Sequence, residues 1–232
     1  MTTLNLCSGN GMSASFRELM PQFERANNCK IEIHFEPGQI LLREIKAGQN
    51  FDIGVMGKAA LEQLAKEGYI VADSLRVLTQ NGIGVGVSKG APKPDLSSVE
   101  AFKRALLNAQ SVAYTTEGAS GIYFAGLIKK LGIEDAIKAK ARMQPGGLVA
   151  ELVVKGEATL AVQQVPEIMA VAGVDYVGPI PEQVQQLSIN AGGVFVKSQQ
   201  QALARKLLAF LNSAEAAQVF RARGLKPQKV GR

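Results

Sequence analysis

The chain has 232 residues, with 26 Lys and Arg against 20 Asp and Glu, giving a net charge of +6 with the single His34 neutral. Hydrophobic residues make up 47% and charged residues 20%, at a mean hydropathy of +0.07; this is the composition of a folded globular protein and excludes a disordered or fibrous one. The apolar stretches are strand-length and broken by charge or glycine, far short of the ~20 residues that a membrane-spanning helix needs.

Strand-like runs alternate with helical patterns from the first residues onward, the signature of a parallel α/β sheet. LNLCS (4–8) reads as a strand, followed by a helix over 13–26 opened by Ser13 or by the capping box Ser15-Phe16-Arg17-Glu18. KIEIHF (30–35) is a second strand, 40–47 a helix stopped by Gly48, 51–56 a third strand, and 58–67 a helix stopped by Gly68. The glycine-rich strand and proline-rich loop NGIGVGVSKGAPKP (81–94) mark a boundary. Beyond it come a helix over 97–109 with capping box Ser97-Ser98-Val99-Glu100, a strand over 111–115, a helix over 120–131 closed by Gly132 and a helix over 134–141. A helix over 148–155 closed by Gly156, a strand over 159–163, a helix over 165–172 and a strand over 174–178 complete this part. The extended stretch 187–198 leads to helices over 199–211, with Leu203, Leu207, Leu208 and Leu211 on one face, and over 214–222, stopped by Gly224.

The pattern predicts two lobes: 1–80 together with 195–232, and 85–190, joined by two crossing hinge strands at about 81–88 and 187–197 with a cleft beside them. Each lobe is expected to be a mainly parallel sheet with flanking helices. Cys7, late in the first strand, and Cys29, just before the second, lie roughly four to six residues apart along parallel neighbours at ~3.3 Å each. That exceeds the Cα separation of about 4.4–6.8 Å that a disulfide allows. One His and two Cys likewise argue against a metal site. Positive charge is scattered over helix faces (Arg17, Arg25, Lys103, Lys129, Lys138) and thickens only at Arg221, Arg223, Lys226, Lys229 and Arg232. Without a basic stripe, and with 6% aromatics and no Trp, no nucleic-acid partner is expected.

Ligands of parallel α/β sheets bind outside the carboxyl ends of the strands, where loops enter helix N-termini. Those loops are Ser8-Gly9-Asn10-Gly11-Met12, Glu36-Pro37-Gly38-Gln39 and Met56-Gly57-Lys58 in the first lobe. In the second they are Thr115 to Gly121, Gln144-Pro145-Gly146-Gly147 and Gln163-Gln164. Glycine admits close backbone approach, helix starts offer amide donors with about half a positive charge, and Ser, Asn and Gln add neutral hydrogen bonds. Six such loops describe a site for a small anion without a dominant counter-charge, although Arg43 or Arg142 could be recruited by a carboxylate. Taken singly, each loop is better explained by turns and caps.

Two rival chemistries are weaker. Gly9-x-Gly11-x-x-Ala14 with Glu36 loosely fits a dinucleotide fingerprint, but Pro37-Gly38 after the acid and the short first unit count against a nucleotide, and no cofactor is expected. No G-x-S-x-G elbow is present, and His34 shares a strand face with Glu32, opposite Ile31 and Ile33, so no catalytic residue is assigned from the pattern.

The order and spacing of these segments resemble the bacterial extracellular solute-binding proteins of the molybdate-binding kind, the two-lobed type II receptors of ABC transporters. The resemblance runs through Ser8 to Met12, Phe35 to Leu41, Gln49 to Ile53, Tyr114 to Tyr123, Leu131-Gly132-Ile133, Gly178-Pro179-Ile180-Pro181 and Phe210 to Leu225. It implies hydroxyls and backbone amides on an oxyanion, at positions that here carry Asn10 and Gly11, Gly38 and Gln39, Ser120, Gly146 or Gly147, and Gln164. With Ser8 and Gly121 from the loop reading, the expected ligand-binding set is Ser8, Asn10, Gly11, Gly38, Gln39, Ser120, Gly121, Gly146 and Gln164. Asn10 and Gln39 stand where the family is serine-rich, and Gln164 where molybdate binders often carry tyrosine, which points from molybdate towards a small polycarboxylate. The resemblance also implies an ABC transporter membrane component as partner, a monomer, and a periplasmic location if a leader has been removed; a native start at Met1, which shows no leader pattern, implies the cytoplasm and a ligand sensor. Aconitate isomerases are look-alike relatives, and for that alternative the candidate proton-transfer groups are Glu36, Glu117, His34 and Tyr114.

Overall fold

The computed structural model describes residues 1–228; Lys229 and Arg232 of the basic tail, with the end of the expected 195–232 segment, lie outside the described residues. Met1–Gln80 and the chain from Ser188 onward form one compact unit, and Asn81–Leu187 another. The chain therefore passes from one to the other at 80/81 and returns at 187/188.

The first unit is built on β1 (Thr2–Ser8), β2 (Cys29–Phe35), β3 (Ile53–Gly57), β4 (Arg76–Asn81), β10 (Ser188–Val194) and β11 (Lys226–Pro227), in the order β11-β4-β10-β3-β1-β2. β1 runs parallel to β2 and β3, while β10 runs antiparallel to β3 and β11 antiparallel to β4. Because successive strand residues face opposite ways, Leu4 and Leu6 of β1 join one apolar layer and Cys7 the other. The first layer is closed by α1 (Ser13–Asn27), α9 (Gln201–Leu211) and α10 (Ala214–Ala222), and the second by α2 (Gly38–Lys46) and α3 (Lys58–Lys66). Gly192 and Gly193 of β10 let both layers close in: a Cβ at Gly192 would stand 2.3 Å from Leu208, and one at Gly193 2.8 Å from Ile70.

The second unit repeats the plan with β5 (Ile83–Ser88), β6 (Val112–Thr115), β7 (Ala141–Gln144), β8 (Leu160–Gln164) and β9 (Val174–Pro179), in the order β7-β6-β8-β5-β9. β6 is parallel to β7 and β8, and β5 antiparallel to β8 and β9. Phe102 and Leu106 of α4 (Val99–Asn108), Phe124 and Ile128 of α5 (Ala119–Lys130) and Ile137 of α6 (Glu134–Lys138) cover one face. Ala113 and Ala161 on the other face are small enough to admit Ala150 and Val153 of α7 (Ala150–Val154); α8 (Val165–Met169) follows β8. Each sheet is thus a parallel trio extended by antiparallel strands. The parallel half needs crossover helices, and β4, β5, β9 and β10 of the remaining strands flank the two chain passages.

Several local expectations are corrected. The glycine-bearing strands expected as a crossing pair lie in different sheets, β5 in the second and β10 in the first. Ser15 does not cap: a 3₁₀ turn over Asn10–Met12 starts the helical path early, so Ser15 sits inside α1 with its hydroxyl buried and unpartnered. The cap of α4 is Ser98 rather than Ser97, its Oγ accepting the Ala101 N–H at 3.1 Å. The helix expected over 134–141 ends at Lys138, and residues 141–144, for which no strand was expected, form edge strand β7; β4 is likewise an additional strand. The expected helix stops Gly48, Gly68, Gly132, Gly156 and Gly224 all take positive φ. Cys7 lies opposite His34 and Cys29 opposite Thr2, five positions away in register; both thiols are free and buried.

Candidate functional site

In the first unit, parallel pairing brings the three expected loops to one sheet edge. Ser8 lies opposite both Phe35 and Val55, and the loops are stitched together by the Gly9 N–H on the Val55 carbonyl and the Glu36 N–H on the Ser8 carbonyl, each 3.1 Å. Ser8 itself is wholly buried and its hydroxyl donates to the Gly9 carbonyl at 3.3 Å. Asn10 and Gly11 are half-buried in the 3₁₀ turn that leads into α1, and Gly38 and Gln39 are the first two residues of α2. No side chain caps the turn at Asn10, α2 or α3, so their first amides remain open to an outside acceptor. A Cβ added at Gly9 or Gly38 would meet nothing within 4 Å.

The second unit has the same edge. β6 ends at Thr115 and Thr116-Glu117-Gly118 lead into α5; the Thr116 and Glu117 N–H groups bond the Gln144 and Pro145 carbonyls at 2.9 and 3.0 Å, tying this loop to the one after β7. α5 and α8 begin without side-chain caps, whereas Ser98 and Ser213 cap α4 and α10. α6 and α9 also lack side-chain caps, so position at the carboxyl edge, not the missing cap alone, sets these turns apart. Two polar atoms at this edge are buried without a partner, Thr115 Oγ1 and Gln163 Oε1. The register of β6 on β8, Val112 opposite Leu160 and Ala113 opposite Ala161, carried on by two residues, puts Thr115 beside Gln163.

The structure changes how several expected residues read. Ser120 is 2% exposed and lies inside the first turn of α5, not in a solvent-facing loop. Gly121 is required by packing: a Cβ there would stand 1.7 Å from the Thr115 carbonyl oxygen, so its absence lets α5 start against the end of β6. Gln164 Oε1 accepts from Asn81 Nδ2 at 2.9 Å, and Gly146 is half-buried in the loop after β7. Arg43 is on α2, and Arg142 is exposed on β7 with Nη1 on its neighbour's carbonyl at 3.2 Å. Of the proposed proton-transfer groups, His34 pairs through Nε2 with Glu44 at 2.9 Å and stacks on Phe51. Tyr114 is buried edge-on against Phe124, and burial pushes its phenol up, the wrong direction for a base.

Sequence reasoning missed the strongest electrostatic feature of this edge. Glu167, the third residue of α8, is 8% exposed; burial pushes its carboxyl up to about 8, against the opposing pull of hydrogen bonds from the Gln164 backbone and the Gln163 side chain. The available signal was Gln164-Val165-Pro166-Glu167, a capping-box spacing with Gln in place of Ser or Thr and Pro in the first turn. Among the described residues, no group of three or more His, Cys, Asp or Glu side chains is placed to hold a metal ion, and no helix is long and apolar enough to cross a membrane.

Residues 4–226 match the family model of the bacterial extracellular solute-binding proteins. The chain belongs to that family. A relative named aconitate isomerase, from a Pseudomonas species, is 38% identical over 233 residues, covering 98% of this chain and 88% of the relative. Among solved structures, the periplasmic molybdate-binding protein of Azotobacter vinelandii superposes with a TM-score of 0.80 at 15% identity, covering 96% of this chain and 98% of that one. The sulfate-binding protein SubI of Mycobacterium tuberculosis follows at 0.75 and 16% identity, covering 99% and 88%. At these identities the two structures establish the two-lobed periplasmic-binding-protein fold and leave the solute open.

Proposed function

We propose that this protein captures a small anion, a polycarboxylate before a tetrahedral oxyanion, using the carboxyl-edge loops of both units, with the two chain passages as the hinge on which they close. The observation that carries this reading is the coincidence, at the carboxyl edge of each sheet, of uncapped helix starts with glycine, amide and hydroxyl side chains. Such an edge offers donors in number and little fixed positive charge. Asn10, Gly11, Gly38 and Gln39 serve from the first unit; Ser120, Gly146 and the Gln164 region serve from the second, with Ser8 and Gly121 shaping the backbone around them. The preference for a carboxylate rests on Asn10 and Gln39, whose side chains are longer than the serines the resemblance implies there, on Gln164, an amide where molybdate binders often carry a phenol, and on the relative named aconitate isomerase. Within the family this role is delivery to an ABC transporter by a monomeric receptor outside the cytoplasmic membrane.

The test is a thermal-shift screen against molybdate, sulfate, citrate, tricarballylate and cis- and trans-aconitate. A ligand at about 100 times its Kd adds about 2.7 kcal/mol, a shift of a few degrees. Carboxylates are expected to shift the melt, and Asn10→Ala to abolish the shift. A response to tetrahedral oxyanions alone overturns the carboxylate assignment, and no response to any anion overturns the reading. The relative's name supports a second reading, isomerisation of aconitate by this chain, with Glu36, Glu117 and His34 as the remaining candidates for moving the proton. Proton NMR of cis- or trans-aconitate with catalytic amounts of protein separates the two: interconversion makes it an enzyme, and binding without interconversion a receptor.

A further inference from the structure

One side chain of the expected ligand set is held by a buried amide that lies outside that set. Asn81, the last residue of β4 and the first of the second unit, is 2% exposed. Its Nδ2 donates to Gln164 Oε1 at 2.9 Å and, more weakly, to the Gly82 carbonyl at 3.5 Å. Gly82 is itself fixed: its carbonyl accepts the Val165 N–H at 3.0 Å, and Ile83 beside it pairs with Gln164 where β5 runs antiparallel to β8. Strand pairing thus brings Asn81 to Gln164 across 83 positions of sequence.

A backbone carbonyl only accepts, and a side-chain amide carries its donors on nitrogen and its acceptor on oxygen. With Nδ2 turned towards the Gly82 carbonyl, Asn81 meets Gln164 as a donor, and Gln164 answers with its oxygen. The Gln164 NH2 is left on the other side of its amide. Gln164 is half-buried, and its Nε2 has no partner among the described residues. Nor is that nitrogen one of their buried unpartnered polar atoms, so solvent reaches it. Two N–H donors are therefore presented at the carboxyl end of β8. Turned over, the same amide would offer an anion its oxygen and repel it. The direction of one hydrogen bond decides whether this position attracts or rejects an anion.

We propose that Asn81 is a positioning residue for anion capture: its Nδ2 holds the Gln164 oxygen, so that Gln164 meets the anion through its Nε2 donors alone. The inference rests on the site reading above and deepens it, giving Gln164 a fixed polarity and Asn81 the task of setting it.

The test is titration calorimetry of tricarballylate, and in parallel molybdate, at about pH 7.5, where the carboxyl groups of tricarballylate are ionised; thermal melting checks that each variant folds. Tricarballylate has no double bond for an isomerase to move. For whichever probe wild type binds, Gln164→Ala, which deletes the donors, should raise Kd about ten-fold. Gln164→Glu keeps an oxygen for Asn81 but puts an acceptor where the NH2 stood, and should raise Kd about 100-fold. Asn81→Ala, which frees Gln164 to turn, should raise Kd about five-fold in wild type and not at all in a Gln164→Ala background. Asn81→Ser runs the same cycle if Asn81→Ala does not fold. A structural role for Asn81 would lower affinity equally in both backgrounds. That result, full affinity in Asn81→Ala or Gln164→Ala, or wild-type affinity in Gln164→Glu, overturns the inference and leaves the rest of the site reading intact. Binding of neither probe by wild type overturns both.

Discussion

Stability should fall as pH rises from the acid side to neutrality, and Glu167 sets the amount. An ordinary glutamate titrates near 4.5, while Glu167 in the folded protein holds its proton to about 8. Between these values the unfolded chain has released a proton that the folded protein keeps, so folding becomes less favourable by about 1.4 kcal/mol per pH unit. Below the lower value both states are protonated, above the upper one both are ionised, and the dependence ends. From about pH 5.5 to about pH 7.5 the loss attributable to Glu167 is about 3 kcal/mol. Urea unfolding of wild type and Glu167→Gln at these two pH values, followed by circular dichroism, measures it as a double difference in which the surface carboxylates cancel. The variant should gain about 3 kcal/mol on wild type across the interval. An unchanged gap between the two proteins would refute the assignment of a buried, unpaired acid.

Two glycines of one helix should behave oppositely. Gly121→Ala forces a Cβ onto the Thr115 carbonyl at 1.7 Å and should cost about 3 kcal/mol or prevent folding, whereas Gly126→Ala, with nothing within 4 Å, should stabilise α5 by about 0.5–1 kcal/mol; equal effects in a melting comparison would show that backbone approach is not the reason for Gly121. Asp52 accepts the Asn5 N–H at 2.8 Å and the Ser198 hydroxyl at 2.6 Å while buried. Asp52→Ala strands both donors and should cost about 3 kcal/mol in urea unfolding, and a loss within error would refute the clamp. Thiol labelling without reductant should find no reactive cysteine in the native protein and two in urea, since Cys7 and Cys29 are buried and unlinked; no labelling even in urea would mean a disulfide.

The alternation of strand and helix, the glycine stops and the six carboxyl-edge loops were legible in the residues alone, because each is a local property. A period of two or 3.6, or a glycine where φ must be positive, is written into neighbouring side chains. What escaped was set by partners distant in sequence. β7 (ARMQ) has no apolar alternation, being an exposed edge strand held by backbone bonds to β6, and backbone pairing leaves no side-chain pattern when the strand is exposed. Ser15 satisfies a capping rule that the preceding 3₁₀ turn makes irrelevant. Gly121 was legible as a glycine at a helix start, but that it serves packing against Thr115 follows only from the approach of α5 to β6. Glu167 reads in sequence as one acid among 20 Asp and Glu. Its neutrality at physiological pH is decided by the tertiary structure, which buries it without a cation beside Gln163, because the cost of a charge depends on what surrounds it rather than on which residue carries it.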